Sequence, residues 1–261
     1  MFKMIVTDLD NTLLRRDKSI SDYTVQIFER CRAAGILIAF ATSRSESASA
    51  RFTKVITPDI FISNGGALAR CGDEVLYEAA ISDSDVGAII AKLVDCAEVR
   101  QITLQSEKGY FDSKPLTDEV GWVDYADSIE TDFRKPIDFG AVYKITVLTE
   151  SAAAVSAAIA GHREVDMIGF NGEDWVQIKN SKGSKEAAIV EVAQKLNIML
   201  NDIVVFGDDM NDLGMLKIAG TSVAMSNAIP EVKECVQFIC GDCDEDGVAY
   251  WLENQLTGKL S

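Results

Sequence analysis

Positive charge is scarce in this sequence of 261 residues. Twenty-five Lys and Arg residues stand against 41 Asp and Glu residues, which gives a formal net charge of -16 at pH 7. Such a chain repels polyanions, and sequence-independent binding to nucleic acid requires Lys and Arg to neutralise phosphates. We therefore expect no nucleic-acid partner. The same acidity argues against binding to an anionic membrane surface.

Long apolar runs are also missing. The longest, Ile36 to Ala41, is far shorter than the roughly 20 residues of a membrane-spanning helix. Near the N-terminus, Thr7 and Asp8 interrupt the first apolar residues before the apolar region of a signal peptide is complete. We expect a cytoplasmic protein without a membrane span or a secretion signal.

Histidine occurs once, and the six cysteines are scattered. The only close cysteine pair is Cys240 and Cys243, and His162 is remote from it in sequence. A structural zinc site normally takes four Cys or His ligands. The ordinary interpretation of the pair is therefore free thiols in a reducing cytosol, with a metal or redox role as the less favoured alternative.

The remaining composition, with 48% hydrophobic and 25% charged residues and no repeat or low-complexity segment, indicates one large or two moderate globular domains. Both ends of the chain alternate short apolar strands with helices, as in a doubly wound α/β fold with a parallel sheet. The predicted strands are 3–9, 36–41, 59–63, 202–206, 221–225 and 236–239. The predicted helices follow Ser19 or Ser21 as far as Gly35, and cover 45–55, 184–196, 209–217 and a short segment from Pro230.

The middle of the chain has a different pattern. Helices are predicted at 84–95 and 151–161, and strands at 101–105, 142–148, 165–170 and 174–178. This pattern is typical of an α+β domain. We therefore predict a discontinuous core, 1–81 with 180–261, and an inserted α+β cap, 82–179.

Polar residues follow several predicted strands of the core. Asp8 and Asp10 end the first strand, Thr42 and Ser43 follow the second, and Asp208 follows the strand at 202–206. Ligands of open parallel sheets bind beyond the carboxyl ends of the strands, so we expect these residues to gather there. Residues two apart in a strand face the same way, and two facing carboxylates favour a hard cation such as Mg²⁺, with Asp208 as a further ligand. Alternatively, Asp8 and Asp10 only begin a turn.

Phosphoryl chemistry also needs hydrogen-bond donors around the phosphoryl oxygens, and the candidates are Thr42, Ser43, Lys182 and Asn211. Each has a simpler interpretation. Thr42 and Ser43 also suit the cap of the following helix, Lys182 suits a solvated loop, and Asn211 suits an ordinary helix start. Only their combination favours a phosphoryl site.

Four sequence motifs occur in order along the chain, at residues 8–14, 41–44, 181–183 and 207–212, and two further landmarks lie at 63–66 and 246–249. Together they resemble the haloacid dehalogenase superfamily, and within it the Cof-like phosphatases that carry a large α/β cap of the IIB type. The resemblance covers essentially the whole chain. It implies a Rossmann-like core with the cap inserted between the second and third motifs.

The resemblance also implies a mechanism for a small phosphorylated metabolite. Asp8 is the expected nucleophile. Asp10 is expected to protonate the leaving oxygen and then to deprotonate the water that hydrolyses the aspartyl-phosphate. Mg²⁺ is expected on the Asp8 side chain, the Asp10 backbone carbonyl and Asp208, with Asp212 supporting its water ligands. The expected phosphoryl-binding groups are the Thr42 side chain, the Ser43 backbone N–H, Lys182 and Asn211.

Two positions depart from the family pattern, because Asn11 and Ser43 stand where Gly is usual. Asn adopts left-handed backbone angles more readily than most residues, so we expect the turn at Asn11 to survive. The Ser43 side chain narrows the site, and we expect it to affect substrate choice or rate.

Two other functions compete with a phosphatase. A phosphomutase also forms an aspartyl-phosphate but returns the phosphoryl group to a sugar. A receiver-type signalling module carries its acceptor Asp at the end of the third strand, whereas this strand ends in Ser63 and Asn64, and such a module has no place for an insert of this size. Within the cap, we expect His162 on the surface of a helix, and Asp124, Asp127 and Glu173 either to meet sugar hydroxyls or to be solvated. No sequence feature indicates an oligomeric state.

Overall fold

A computed structural model describes residues 2–114, 128–169 and 174–258. The chain divides into two compact units: Met1–Glu78 with Ser184–Ser261, which we call the core unit, and Ala79–Gly183, the cap unit. The cap unit thus begins at 79 rather than 82 and ends at 183 rather than 179. Hydrogen bonding explains both differences, because the Ile81 N–H donates to the Val142 carbonyl at 2.8 Å and Asn180 pairs with Val165 in a cap ladder.

The elements are numbered along the chain. The first core segment contains β1 Met4–Thr7, α1 Asp22–Ala33, β2 Leu37–Ala41, α2 Glu46–Thr53, β3 Ile60–Ser63, β4 Leu68–Cys71 and β5 Glu74–Glu78. The cap contains α3 Asp83–Leu93, β6 Val99–Ser106, β7 Gly109–Asp112, β8 Ile129–Glu130, β9 Val142–Thr149, α4 Ala152–Ile159, β10 Val165–Gly169 and β11 Trp175–Asn180. The second core segment contains α5 Lys185–Lys195, β12 Ile203–Gly207, α6 Leu213–Ile218, β13 Thr221–Ala224, α7 Pro230–Lys233, β14 Phe238–Ile239 and α8 Gly247–Leu256.

The core unit is built on one eight-stranded sheet in the order β14-β13-β12-β1-β2-β3-β4-β5. All neighbours from β14 to β3 are parallel, which confirms the predicted α/β fold, and β4 and β5 add an antiparallel extension that the sequence pattern did not predict. In the central register Thr7 lies opposite both Phe40 and Phe206. The residues that follow these strands therefore emerge at one edge of the sheet.

Local signals explain why the helices begin and end where they do. The Ser21 hydroxyl caps α1 by accepting from the Thr24 N–H at 3.0 Å, and the chain leaves the helix at Gly35 with a φ of 79°. Ile27 and Phe28 on this helix are buried in the core. Burying a side chain of this size stabilises a fold by about 1.5–3 kcal/mol.

Among the described residues, the cap unit has a six-stranded sheet in the order β10-β11-β9-β6-β7-β8, antiparallel except between β7 and β8. Alternation places Ile102 and Leu104 of β6 in an apolar cluster with side chains of α3 and α4, whereas the neighbouring Gln101 and Thr103 are buried polar residues. The two predicted cap helices and four predicted strands correspond to observed elements; β7 and β8 were not predicted.

His162 does not lie on a helix surface as expected. It follows the end of α4, only 14% of its side chain is exposed, and its Nδ1 lies 2.5 Å from the Asp85 carboxylate. Asp124, Asp127 and Glu173 fall outside the described residues. In the part of the chain that the structure describes, no helix has the length and apolar character needed to cross a bilayer.

Candidate active site

A buried cluster of charges lies at the carboxyl edge of the core sheet. Asp8, Asp208 and Asp212 each offer a carboxylate oxygen, and these oxygens lie within 4.8 Å of one another. The Lys185 ammonium donates to the Asp8 carboxylate at 2.6 Å and to the Asp212 carboxylate at 2.7 Å. The four side chains are at most 9% exposed. Buried charges of this kind are normally paired or bind a metal.

Two glycines bring Lys185 and Asp212 into this cluster. Gly66 has a φ of 94°, and a Cβ there would lie 2.0 Å from the carbonyl carbon of Ser184, so no larger residue allows the start of α5 to come so close. A Cβ on Gly207 would lie 2.6 Å from the Cβ of Asp212. Both glycines are therefore required by close approach to groups that carry or adjoin the charges of the site.

The cluster holds more negative than positive charge. Burial raises the pKa of Asp8 to about 8; the Lys185 ammonium opposes this shift, and the Asp212 and Asp208 charges reinforce it. Burial likewise raises the pKa of Asp208 to about 6, against a hydrogen bond from the Thr12 hydroxyl at 2.6 Å. For Lys185, burial favours the neutral amine, but the Asp212 and Asp8 charges outweigh it and raise the pKa above its usual value. One ammonium does not neutralise three carboxylates.

This donor set fits a hard divalent cation such as Mg²⁺. Carboxylate oxygens are its preferred protein ligands, and a divalent cation would supply the positive charge that one ammonium does not supply to three buried carboxylates. Asp212 is already oriented, because its second oxygen accepts the backbone N–H groups of Asp208 at 2.9 Å and Asp209 at 3.2 Å.

Asp10 has different partners from Asp8. Its carboxylate accepts from Arg44 Nε at 2.6 Å, Arg44 Nη2 at 2.8 Å and Lys18 Nζ at 2.8 Å. Burial alone would raise the pKa of Asp10, but the hydrogen bonds from Arg44 and Lys18 outweigh it and lower the pKa. Neither cation was among the predicted site residues, although Arg44 lies inside the second motif.

The predicted phosphoryl-binding residues of the second and fourth motifs are brought together. The Asn211 amide donates to the Ser43 hydroxyl at 3.1 Å, and both residues are exposed. The Thr42 hydroxyl accepts from the Arg44 N–H at 3.2 Å and is buried. Thr42 therefore has the local hydrogen bond expected of a turn residue, and Ser43 and Asn211 present polar groups to solvent.

The prediction for Lys182 requires a correction. The Lys182 ammonium lies 3.0 Å from the Glu164 carboxylate within the cap unit, and both side chains are largely exposed. Lys185 is the lysine that contacts Asp8, because Ser184 caps α5 and makes Lys185 its first residue. The cap signal of Ser184 and the nearby Lys185 were both visible in the sequence. Their approach to Gly66 was not.

Asn11 has the predicted left-handed conformation, with a φ of 56°. The substitution of Gly by Asn is therefore accommodated at this turn, and Asp8 and Asp10 remain on either side of Leu9, which is fully buried.

Comparison with known proteins identifies the family. The profile of the haloacid dehalogenase-like hydrolases matches residues 5–252. The chain belongs to this family. YwtE, a 5-amino-6-(5-phospho-D-ribitylamino)uracil phosphatase of Bacillus subtilis (strain 168), is 26% identical, covering 99% of this chain and 100% of that protein. The HMP-PP phosphatase of Cronobacter sakazakii is 24% identical, covering 98% of this chain and 96% of that protein.

Solved structures of family members share the fold. A haloacid dehalogenase-like hydrolase of Bacteroides thetaiotaomicron matches with a TM-score of 0.84 at 22% identity, covering 98% of this chain and 100% of that one. A sugar phosphatase of subclass IIB, BT4131, matches with a TM-score of 0.76 at 22% identity, covering 97% and 98%. Family and relatives together make this member a hydrolase of the Cof-like phosphatase group, as the motifs predicted.

Proposed function

We propose that this enzyme is a Mg²⁺-dependent phosphatase that transfers the phosphoryl group of a small metabolite to Asp8 and then to water. The observation that carries the proposal is the buried Asp8 carboxylate at the end of β1, held 2.6 Å from the Lys185 ammonium and grouped with Asp208 and Asp212. A carboxylate fixed in this way is oriented to attack phosphorus, and a bound cation would favour its ionised, nucleophilic form.

The cation would be held by the Asp8 carboxylate, the Asp10 backbone carbonyl and Asp208, with Asp212 keeping Asp208 in place through its backbone N–H. Bound Mg²⁺ supplies positive charge that stabilises the phosphoryl oxygens in the transition state. Lys185 adds a second, permanent positive charge beside Asp8. Thr42, Ser43 and Asn211 provide polar groups for the phosphoryl oxygens.

Asp10 would move the protons of both steps. Its ionised form, favoured by Arg44 and Lys18, is the base that activates water against the aspartyl-phosphate. The first step needs the protonated form to neutralise the leaving oxygen. Substrates with poor leaving groups should therefore depend on Asp10 more strongly than substrates with good ones.

The relatives support a small phosphorylated metabolite as substrate. They include phosphatases of a phosphoribitylamino-uracil compound, of HMP-PP and of sugar phosphates. A phosphate-release screen over such compounds, with Mg²⁺ or with a chelator, tests the proposal directly. The matched control is Asp8→Asn. Release of inorganic phosphate that is lost both with the chelator and in Asp8→Asn supports a phosphatase. An isomerised sugar phosphate without release of inorganic phosphate would establish the phosphomutase alternative.

Mg²⁺ is expected to stabilise the fold more at pH 8 than at pH 5. The raised pKa values of Asp8, about 8, and Asp208, about 6, mean that the metal-free fold loses stability as pH rises from about 4 to 8, because buried carboxylates must ionise. Mg²⁺ binds the ionised forms and competes with protons. Thermal unfolding at both pH values, with and without Mg²⁺, measures this. An equal shift of Tm at both pH values would contradict the assignment of the cation to these carboxylates.

Ser43→Gly is expected to change KM for phosphate esters by about 3- to 10-fold, because a hydrogen bond is worth about 0.5–1.5 kcal/mol and the Asn211 amide loses its Ser43 partner. Ser43→Ala is the matched variant, since it removes the hydroxyl and keeps the Cβ. Equal changes of KM in both variants mean that the loss of the hydroxyl causes the change. A change of KM in Ser43→Gly alone means that the loss of the Cβ causes it. Unchanged kinetics across a substrate panel in both variants would exclude Ser43 from substrate selection.

A further inference from the structure

Residues Asp8–Lys18, which we call the nucleophile loop, are tied to a segment more than 200 residues away in sequence. Residues Asp242–Asp246, which we call the C-terminal turn, lie between β14 and α8. The Arg16 guanidinium makes two hydrogen bonds to the Asp242 carboxylate, at 2.9 and 3.1 Å, and contacts Asp244. The Arg16 N–H donates to Asp244 at 2.9 Å, and Arg15 pairs with Asp246 at 2.8 Å.

Asn227 joins these two segments with both ends of its amide. Its Nδ2 donates to the Asn11 carbonyl at 2.8 Å, and its Oδ1 accepts the Cys243 N–H at 2.9 Å. Asn227 lies in the connection after β13, and in the same connection the Ile229 N–H donates to the Asp208 carbonyl at 3.0 Å. This short connection therefore contacts the backbone of both acidic motifs.

The Asn11 carbonyl is a sensitive point of the nucleophile loop. It belongs to the peptide plane between Asn11, which has left-handed angles, and Thr12, whose hydroxyl donates to Asp208 at 2.6 Å. Asp10 precedes it directly. A rotation of this plane would move the Asp10 backbone on one side and the Thr12 hydroxyl on the other.

We propose that Asn227 is a positioning residue, which orients the nucleophile loop by holding the Asn11 carbonyl against the C-terminal turn. The Arg15 and Arg16 ion pairs fix the far end of the same loop, and Asn227 fixes its near end. The expected effect on kcat rests on the proposed phosphatase mechanism. The orientation of the nucleophile loop by Asn227 does not depend on that mechanism. The proposal also gives a role to residues 246–249, one of the two further family landmarks, because Asp246 forms the ion pair with Arg15.

Asn227→Asp is the sharpest variant, because it keeps the acceptor for Cys243 and replaces the donor to Asn11 with an oxygen. We expect kcat to fall by about 10- to 100-fold, the cost of a displacement of roughly an ångström, with KM changed by less than about twofold. Hydrogen exchange measured by mass spectrometry should show faster exchange in the nucleophile loop and unchanged exchange in β2. Arg16→Gln, on the exposed side of the loop, should show the same pattern more weakly.

The matched control is Glu253→Gln, which removes the negative charge that α8 presents to Arg30 at 2.6 Å and to the Tyr23 hydroxyl at 2.8 Å. It should leave both kcat and exchange in the nucleophile loop unchanged. Unchanged loop exchange in both Asn227→Asp and Arg16→Gln overturns the proposal, and faster loop exchange with unchanged kcat overturns its consequence for catalysis. If the unmodified enzyme releases no phosphate from any substrate, the proposed function fails, and the exchange measurement alone still decides whether Asn227 orients the loop.

Discussion

Lys185→Met is expected to lower kcat by about 10²- to 10³-fold, the usual effect of removing one preorganised charge or donor from a transition state. Lys185 is the cation that the structure places against both Asp8 and Asp212. Methionine fills a similar volume without charge. Steady-state phosphate release measures the loss.

The same substitution should also destabilise the fold. Removing the ammonium leaves the Asp8 and Asp212 carboxylates buried without their partner, and breaking a buried pair costs about 3–5 kcal/mol. Urea unfolding of the metal-free protein at pH 8 measures this cost, and saturating Mg²⁺ should recover part of it.

Lys182→Met distinguishes the role of Lys182 from that of Lys185, the other lysine near the third motif. Its partner Glu164 is largely exposed, and an exposed ion pair contributes about 0–1 kcal/mol. We expect kcat to stay within about twofold of the value for the unmodified enzyme. The free energy of unfolding should change by less than about 0.5 kcal/mol. A large loss of kcat in Lys182→Met with little loss in Lys185→Met would reverse the assignment.

Asp8→Asn is expected to lower turnover by about 10⁴-fold or more, as removal of a nucleophile does in other covalent mechanisms. The fold should survive. Because burial raises the pKa of Asp8 from 3.8 to about 8, the metal-free fold loses stability as the pH rises between these two values, and the neutral amide has no such loss. Metal-free Asp8→Asn should therefore be at least as stable as the unmodified enzyme at pH 8. Lost activity combined with a lower Tm would indicate a folding defect instead.

The parts of the site that follow strand ends were predictable from sequence. Asp8 follows β1, Thr42 follows β2 and Asp208 follows β12, and parallel strands in register bring such positions to one edge. Local signals were equally reliable, as the Ser21 cap of α1 and the left-handed Asn11 show. Each of these rests on a few neighbouring residues.

The groups that sequence did not predict depend on distant contacts. Lys185 reaches Asp8 only because Gly66 admits the start of α5, and no local pattern connects positions so far apart. Arg44 and Lys18 are long side chains that reach many positions, and their convergence on Asp10 depends on the path of the whole loop. The β4 and β5 strands are short and only partly buried, so their apolar pattern is weak.

Trapping the covalent intermediate tests the central claim most directly. Asp10→Asn lacks the base for hydrolysis, and p-nitrophenyl phosphate has a leaving group that needs no proton, so the first step should proceed and the second should stall. Acid quenching and peptide mass spectrometry should then find phosphate on Asp8, and none in the Asp8→Asn, Asp10→Asn double variant. Phosphate release by the unmodified enzyme, without any phosphate on Asp8 in the Asp10→Asn variant after p-nitrophenol is liberated, would contradict the account.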